Sequence, residues 1–237
     1  MKKRKTVNMV FDTKKMVLSD NSPFTVQEAY KTLRTNVTFS LPGSGCKCIG
    51  VVSAGRGDGK SSVATNLAIS LSQINKRVAL IDCDMRLPTI ASKLGVQSTP
   101  GLSNILSGDI IELPIIYDAE HGIDIIPSGN VPPDSTTLIS SQEMVRLVER
   151  LKEMYDYIIF DFPPITIVSD AVIISSIIDG YLVVVRHEKS EYSLMAETLR
   201  QMRFADAKIL GFVYNGKNIN KKYYKSKYYK GSDYYKK

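Results

Sequence analysis

Between Cys46 and Gln73 the chain reads CKCIGVVSAGRGDGKSSVATNLAISLSQ: an apolar run, a glycine-rich break, then a segment with helical spacing. Within it, Ala54, Gly55, Arg56, Gly57, Asp58, Gly59, Lys60 and Ser61 closely match G-x-x-x-x-G-K-[ST]. No other stretch constrains the fold as much. Such a loop has to join a strand to a helix, with backbone N–H groups turned toward a phosphate and the positive helix end behind them. Lys60 is then placed to reach β- and γ-phosphates, and the Ser61 hydroxyl to take Mg2+, with Ser62 following as a phosphate neighbour. Ala54 stands at the first glycine position, which the start of the loop tolerates if φ is negative there. A glycine-rich turn without a ligand is the plainer alternative; the strand, the helix and the Lys-Ser pair weigh against it.

The rest of the chain repeats the alternation. FTVQEAYKTLRTNVTFSL carries Val26, Ala29, Leu33 and Val37 at helical spacing, opened by Ser22-Pro23 and broken by LPGSG. RVALIDCD, IDIIPSG, YDYIIFDFPP, GYLVVVRHE and AKILGFVYN read as strands. SSQEMVRLVERLKEMY, SDAVIISSII and SEYSLMAETLRQMRF read as helices, and Met85 to Asp118 as short helices and turns. The strands are continuous apolar runs, the mark of a parallel sheet covered on both faces. The expected fold class is α/β, with a mostly parallel central sheet and helices on both sides. Ligands of such sheets bind beyond the carboxyl ends of the strands.

Those ends carry acids. Asp82 and Asp84 close RVALIDCD, on one side of the chain by alternation, and Asp161 closes YDYIIFD. Carboxylates at the end of a buried strand are costly unless a cation or donor meets them. Each alone could cap a turn. Together with Ser61 and the phosphate loop they predict an Mg2+ site oriented by phosphates.

Charge separates the core from its ends. The last 21 residues hold eight lysines and one acid, and MKKRK adds four more positive charges, out of a total of +7. The body between them is therefore about −4, which argues against a nucleic-acid-binding core. No apolar run approaches the roughly 18 residues of a membrane span, and no apolar region follows the charged start as in a secretory signal. Three cysteines, Cys46, Cys48 and Cys83, suit a reducing compartment, and the C-x-C pair reads better as alternation in a buried strand than as a metal or disulfide site. The expected organisation is a basic extension over 1–22, a folded domain over 23–216 and a Lys/Tyr-rich tail over 217–237. The expected location is cytoplasmic.

SAGRGDGKSS, ALIDCDMR and YIIFDFPP, in this order, resemble the bacterial tyrosine kinases of capsule and exopolysaccharide synthesis. These are P-loop proteins of the MinD/ParA-like fold. EAYKTLR resembles the E-x-x-R-x-x-R subunit-contact motif of that family, PGLSNILSG its G-L-S-x-x-L-x-G segment, and the tail its autophosphorylated tyrosine cluster. The length is similar to the separate cytoplasmic kinase subunits of the CpsD/CapB kind. Departures are Lys31 at the first arginine of the contact motif, Phe162 where D-T-P-P is usual, and Ala54. Gly55 stands where MinD/ParA-type ATPases carry lysine.

The resemblance implies transfer of the γ-phosphoryl group of ATP to tyrosine, with Tyr223, Tyr224, Tyr228, Tyr229, Tyr234 and Tyr235 as acceptors, between subunits. Lys60 and the loop amides would hold phosphates, Ser61 and Asp82 the Mg2+, and Asp161 the same ion through water. Asp84 would orient or accept the phenolic proton, Arg86 stabilise charge or brace the structure, and Asn215 contact adenine. Glu28, Lys31 and Arg34 would form the contact within a homo-oligomer, a ring being one form. The implied partners are a membrane adaptor of the chain-length-determinant type, which would recruit the chain to the inner face of the membrane, and a tyrosine phosphatase. Nucleic acid is not an expected partner. The competing reading is a ParA/MinD-like ATPase switch whose basic tail holds DNA or anionic membrane.

Overall fold

The structure, a computed structural model, describes residues 17–216. In chain order these form α1 (Phe24–Ser40), β1 (Lys47–Ser53), α2 (Lys60–Ser72), β2 (Val78–Asp82), α3 (Ile90–Leu94), α4 (Leu102–Leu106), β3 (Ile116–Asp118), β4 (Ile123–Ile126), α5 (Ser135–Ile139), α6 (Gln142–Met154), β5 (Tyr157–Asp161), α7 (Asp170–Ile173), β6 (Gly180–Arg186), α8 (Tyr192–Phe204) and β7 (Ile209–Asn215). The seven strands make one sheet in the order β3-β4-β2-β5-β1-β6-β7. Every pairing is parallel except β3 with β4. The α/β architecture expected from the sequence is the one observed.

Each sheet face builds its own core. Cys48, Val52, Ile81, Phe160 and Val183 point to one side, where Met144, Leu147 and Leu151 of α6 cover them. Ile49, Val51, Leu80 and Ile159 point to the other, under Val63, Leu67 and Leu71 of α2. Both faces of the strands are therefore dry, as uninterrupted Val/Ile/Leu runs require.

Four local features depart from expectation. The antiparallel edge strand β3 is only three residues long, too short to show alternation. Helix α5 is also extra, and is built on Asp134, whose side chain accepts from the Thr136 and Thr137 N–H groups. SDAVIISSII makes only the single turn of α7 and a 3-10 turn at Ser175–Ile177. Its β-branched run, Val172, Ile173, Ile174 and later Ile177 and Ile178, loses side-chain freedom in a helix and has a low propensity for one. Lastly, packed residues already precede position 23, where the folded domain was expected to start. Leu18 is 2 % exposed within the α2-side core, with Val17 beside it, and its N–H donates to Asn66 Oδ1 at 2.8 Å. The folded body thus includes residues from Val17 onward, because two apolar side chains find cover there. No helix among the described residues is long and apolar enough to cross a membrane.

Candidate active site

The carboxyl ends of β1, β2 and β5 lie side by side. Register pairs Val51 with Asp161 and Asp161 with Asp82, so the two acids end adjacent strands at one level. The loop from Ala54 to Gly59 climbs over this edge into α2. Gly59 has φ of 96°, and a Cβ there would come within 2.0 Å of Asn215 Nδ2; only glycine meets both conditions. Gly57 also has positive φ, 75°. Asp58 is buried, and its Oδ2 accepts from the Gly55 N–H at 3.0 Å, which tightens the turn. Gly59, the residue before α2, supplies no side-chain cap. The first N–H groups of a 13-residue helix therefore face the cavity without a side-chain acceptor at the N-cap, the arrangement that receives phosphate.

The cavity above them has a volume of about 320 Å³, and its lining includes Lys60, Ser61, Ser62, Asp84, Arg86 and Lys93. Lys60 Nζ lies 2.9 Å from Asp84 Oδ2 and 4.0 Å from Asp161 Oδ1. Burial works to lower the Lys60 pKa, but Asp161 and Asp84 outweigh it and raise the value. Asp161 is 0 % exposed, and neither of its oxygens has a hydrogen-bond partner. Burial raises its pKa, against the pull of the Lys60 charge and the nearby Ser61 hydroxyl. Asp82 is equally buried but fully engaged: Oδ1 accepts from the Asp84 N–H, and Oδ2 from the Thr89 and Ile90 N–H groups, each at 3.1 Å. Burial first, then the charge of Asp161, push Asp82 up to about 7. Asp82 thus orders the loop that carries Asp84 and Arg86, a structural task that its motif does not announce.

The residues expected around the ligand differ in where they lie. Asn215 is outside the cavity lining; its Nδ2 donates to the Asp58 carbonyl at 2.9 Å and so braces the loop from behind. The reason is its position: the end of β7 comes level with Arg186 of β6, next to the loop's back. The Arg86 guanidinium does line the cavity, and it donates to Thr136 Oγ1, which in turn donates to Asp170. Of the contact motif, Glu28 and Lys31 pair with each other at 2.8 Å, whereas Arg34 donates to the Ser70 carbonyl at 2.6 Å, fastening α1 to α2. Phe162 fills the core, stacked on Phe160 with centroids 5.9 Å apart and tilted against Tyr181. Sequence reasoning missed Lys93, a buried lysine inside the cavity whose Nζ donates to Ser62 Oγ at 3.1 Å. Burial lowers its pKa, Asp161 opposing and Lys60 adding to the effect. A single lysine in a short helix carries no spacing signal that could have marked it.

The three cysteines are free, and among the described residues no group of three or more His, Cys, Asp or Glu side chains could by itself hold a metal ion. The site nonetheless fits Mg·ATP. Asp161 is a buried carboxylate without hydrogen bonds, and Mg2+ on phosphates needs only one or two protein oxygens.

A family model described as NUBPL iron-transfer P-loop NTPase matches residues 46–232. Tyrosine-protein kinase YwqD of Bacillus subtilis (strain 168) is 35 % identical over 195 residues, 82 % of either chain. The chain is a member of the bacterial tyrosine kinase family. Solved structures agree with this. The kinase domain of Escherichia coli tyrosine kinase ETK superposes with a TM-score of 0.77 at 29 % identity, covering 80 % of this chain and 75 % of that one. The chimerical protein CapA2B2 gives 0.75 at 29 %, covering 83 % and 84 %. The septum site-determining protein MinD of Pyrococcus horikoshii OT3 shares the fold, with a TM-score of 0.60 at 24 % identity, covering 71 % of this chain and 70 % of that one.

Proposed function

We propose that the chain is an ATP-dependent protein-tyrosine autokinase. It transfers the γ-phosphoryl group of Mg·ATP to its own C-terminal tyrosines, between subunits, in the control of capsular or extracellular polysaccharide synthesis and export. The observation that carries the reading is the Lys60–Asp84 ion pair. It stands over the unbonded Asp161, at the mouth of a helix with no side-chain cap.

Phosphoryl transfer needs positioning and charge neutralisation more than covalent help. The N–H groups of the Gly57–Ser62 segment and the Lys60 ammonium hold phosphate oxygens. Ser61, Asp161 and, in the expected set, Asp82 would hold Mg2+, whose charge would offset that of the phosphates; Asp82 also fixes the loop. When Lys60 turns to phosphate, Asp84 loses its 2.9 Å partner and is free to accept the hydrogen bond of an incoming phenol. A phenol is a much weaker acid than a carboxylic acid, so it gives up its proton late, as the bond to phosphorus forms. Arg86, anchored on Thr136, borders the same space. The tail tyrosines, and residues 1–16 of the extension expected over 1–22, lie outside the described residues. A membrane adaptor, a phosphatase and a homo-oligomer in contact through Glu28, Lys31 and Arg34 complete the proposal.

The test is incubation of purified protein with Mg·ATP, with and without the cytoplasmic segment of a candidate adaptor, followed by mapping of phosphate by mass spectrometry. Phosphate is expected on Tyr223 to Tyr235 and is expected to vanish in Lys60→Met. ATP hydrolysis stimulated by DNA, with no phosphotyrosine, would overturn the reading in favour of the switch.

A further inference from the structure

Lys60 and Lys93 enter one cavity in opposite electrostatic situations. The Lys60 ammonium already has Asp84 at 2.9 Å and Asp161 at 4.0 Å. Lys93 is 8 % exposed, and its one hydrogen-bond partner among the described residues is the neutral Ser62 hydroxyl. No carboxylate oxygen of those residues lies within 4.0 Å of it. Burying an ammonium against a neutral partner costs stability, because the lost hydration is not replaced by an opposing charge. A long apolar side chain would fill the same place without that penalty.

Beneath the cavity, at the end of β5, Asp161 is fully buried and accepts no hydrogen bond, with the Lys60 ammonium 4.0 Å away. Asp161 and Lys93 are close enough to influence each other, yet the Ser62 hydrogen bond turns the Lys93 ammonium toward α2, so no ion pair closes. A buried ammonium with only a neutral partner, lining the same cavity as Lys60, is matched by a guest that brings more than one negative charge. Ser62 is the third residue of α2 counted from Lys60, so the Lys93 ammonium is held beside the first turn of that helix.

We infer that Lys93 is a second phosphate-binding lysine of this site, contacting the polyphosphate of the nucleotide from α3 while Lys60 contacts it from the loop. This rests on the nucleotide reading of the cavity given above. Its ligand class is polyphosphate, so inorganic triphosphate with Mg2+ is bound through the same pair of ammonium groups.

Calorimetric titration of the full chain with a non-hydrolysable Mg·ATP analogue, and with Mg·triphosphate, tests it alongside thermal melts of the ligand-free protein. Lys93→Met is expected to weaken both ligands about tenfold or more, and Lys93→Arg by much less. Ligand-free Lys93→Met is expected to melt at or above the wild-type temperature, since an unpaired buried charge has been removed. Wild-type affinity in Lys93→Met, with Lys60→Met binding abolished, overturns the Lys93 inference and leaves the nucleotide site standing. A ligand-free melt well below wild type, with affinity lost only in step with folding, also overturns it by making Lys93 structural. Absence of binding to the wild-type chain overturns both readings.

Discussion

Single residues set the shape and the charge of this site, and several can be tested alone. Gly59 meets two demands at once, a φ of 96° and the absence of a Cβ beside Asn215. Gly59→Ala is expected to cost on the order of 1–3 kcal/mol from backbone strain alone, and to abolish titratable nucleotide binding because the loop must shift. Asp82 carries a pH signature. Its folded pKa, pushed up to about 7, lies above the ordinary carboxylate value near 4, so the folded state favours the protonated form. The stability it contributes is full below about pH 4 and is lost as pH rises through about 7. The melting temperature of the ligand-free chain is therefore expected to fall between pH 5 and 8. Asp82→Asn is expected to start lower, having given one acceptor away, and to fall less; parallel curves would remove Asp82 as the cause.

At the scale of elements, the helices and strands that hold the site were largely legible, while their fine adjustments were not. The phosphate loop, its strand and α2 follow from glycine placement and apolar runs, and so does the convergence of Asp82, Asp84 and Asp161. Asn215 shows the limit: its place at the end of β7 was readable, but the bond of its amide to the Asp58 carbonyl depends on how close β7 passes to the loop. Arg34, proposed as part of a subunit contact, also ties α1 to the Ser70 carbonyl, a partner 36 residues away that no local pattern reveals. Arg34→Met is expected to lose about 1.5–3 kcal/mol and to lower the melting temperature by several degrees. Phe162 is a third case. It replaces the threonine usual in its family, and Gly50 opposite makes room, since a Cβ there would sit 2.4 Å from Tyr181 and 3.2 Å from Phe162. Restoring the family residue, Phe162→Thr, is expected to cost about 3–5 kcal/mol in denaturant unfolding, because β1, β5 and β6 have packed around the ring.

Over the whole molecule, a body of about −4 carries strongly basic ends. Everything assigned to the nucleotide lies within residues 54–161, so truncation after Gly216 is expected to leave analogue affinity unchanged by calorimetry while removing the phosphotyrosine signal. Each phosphate adds roughly −1.5 to −2, so full modification of six tyrosines reverses the tail's sign. The brace between Asn215 and Asp58 has a kinetic consequence. It fixes the point where the tail departs, one residue before Gly216, against the back of the phosphate loop. At no more than about 3.3–3.6 Å per residue, the chain beyond Gly216 can carry Tyr223 no farther than about 25 Å and Tyr235 no farther than about 70 Å. Under the proposed transfer between subunits, a neighbour's pocket is therefore within the span of the far tyrosines before that of the near ones. Dilution would then slow modification of Tyr234 and Tyr235 more than that of Tyr223 and Tyr224, so the reaction order of each site in protein concentration records whose pocket it visited.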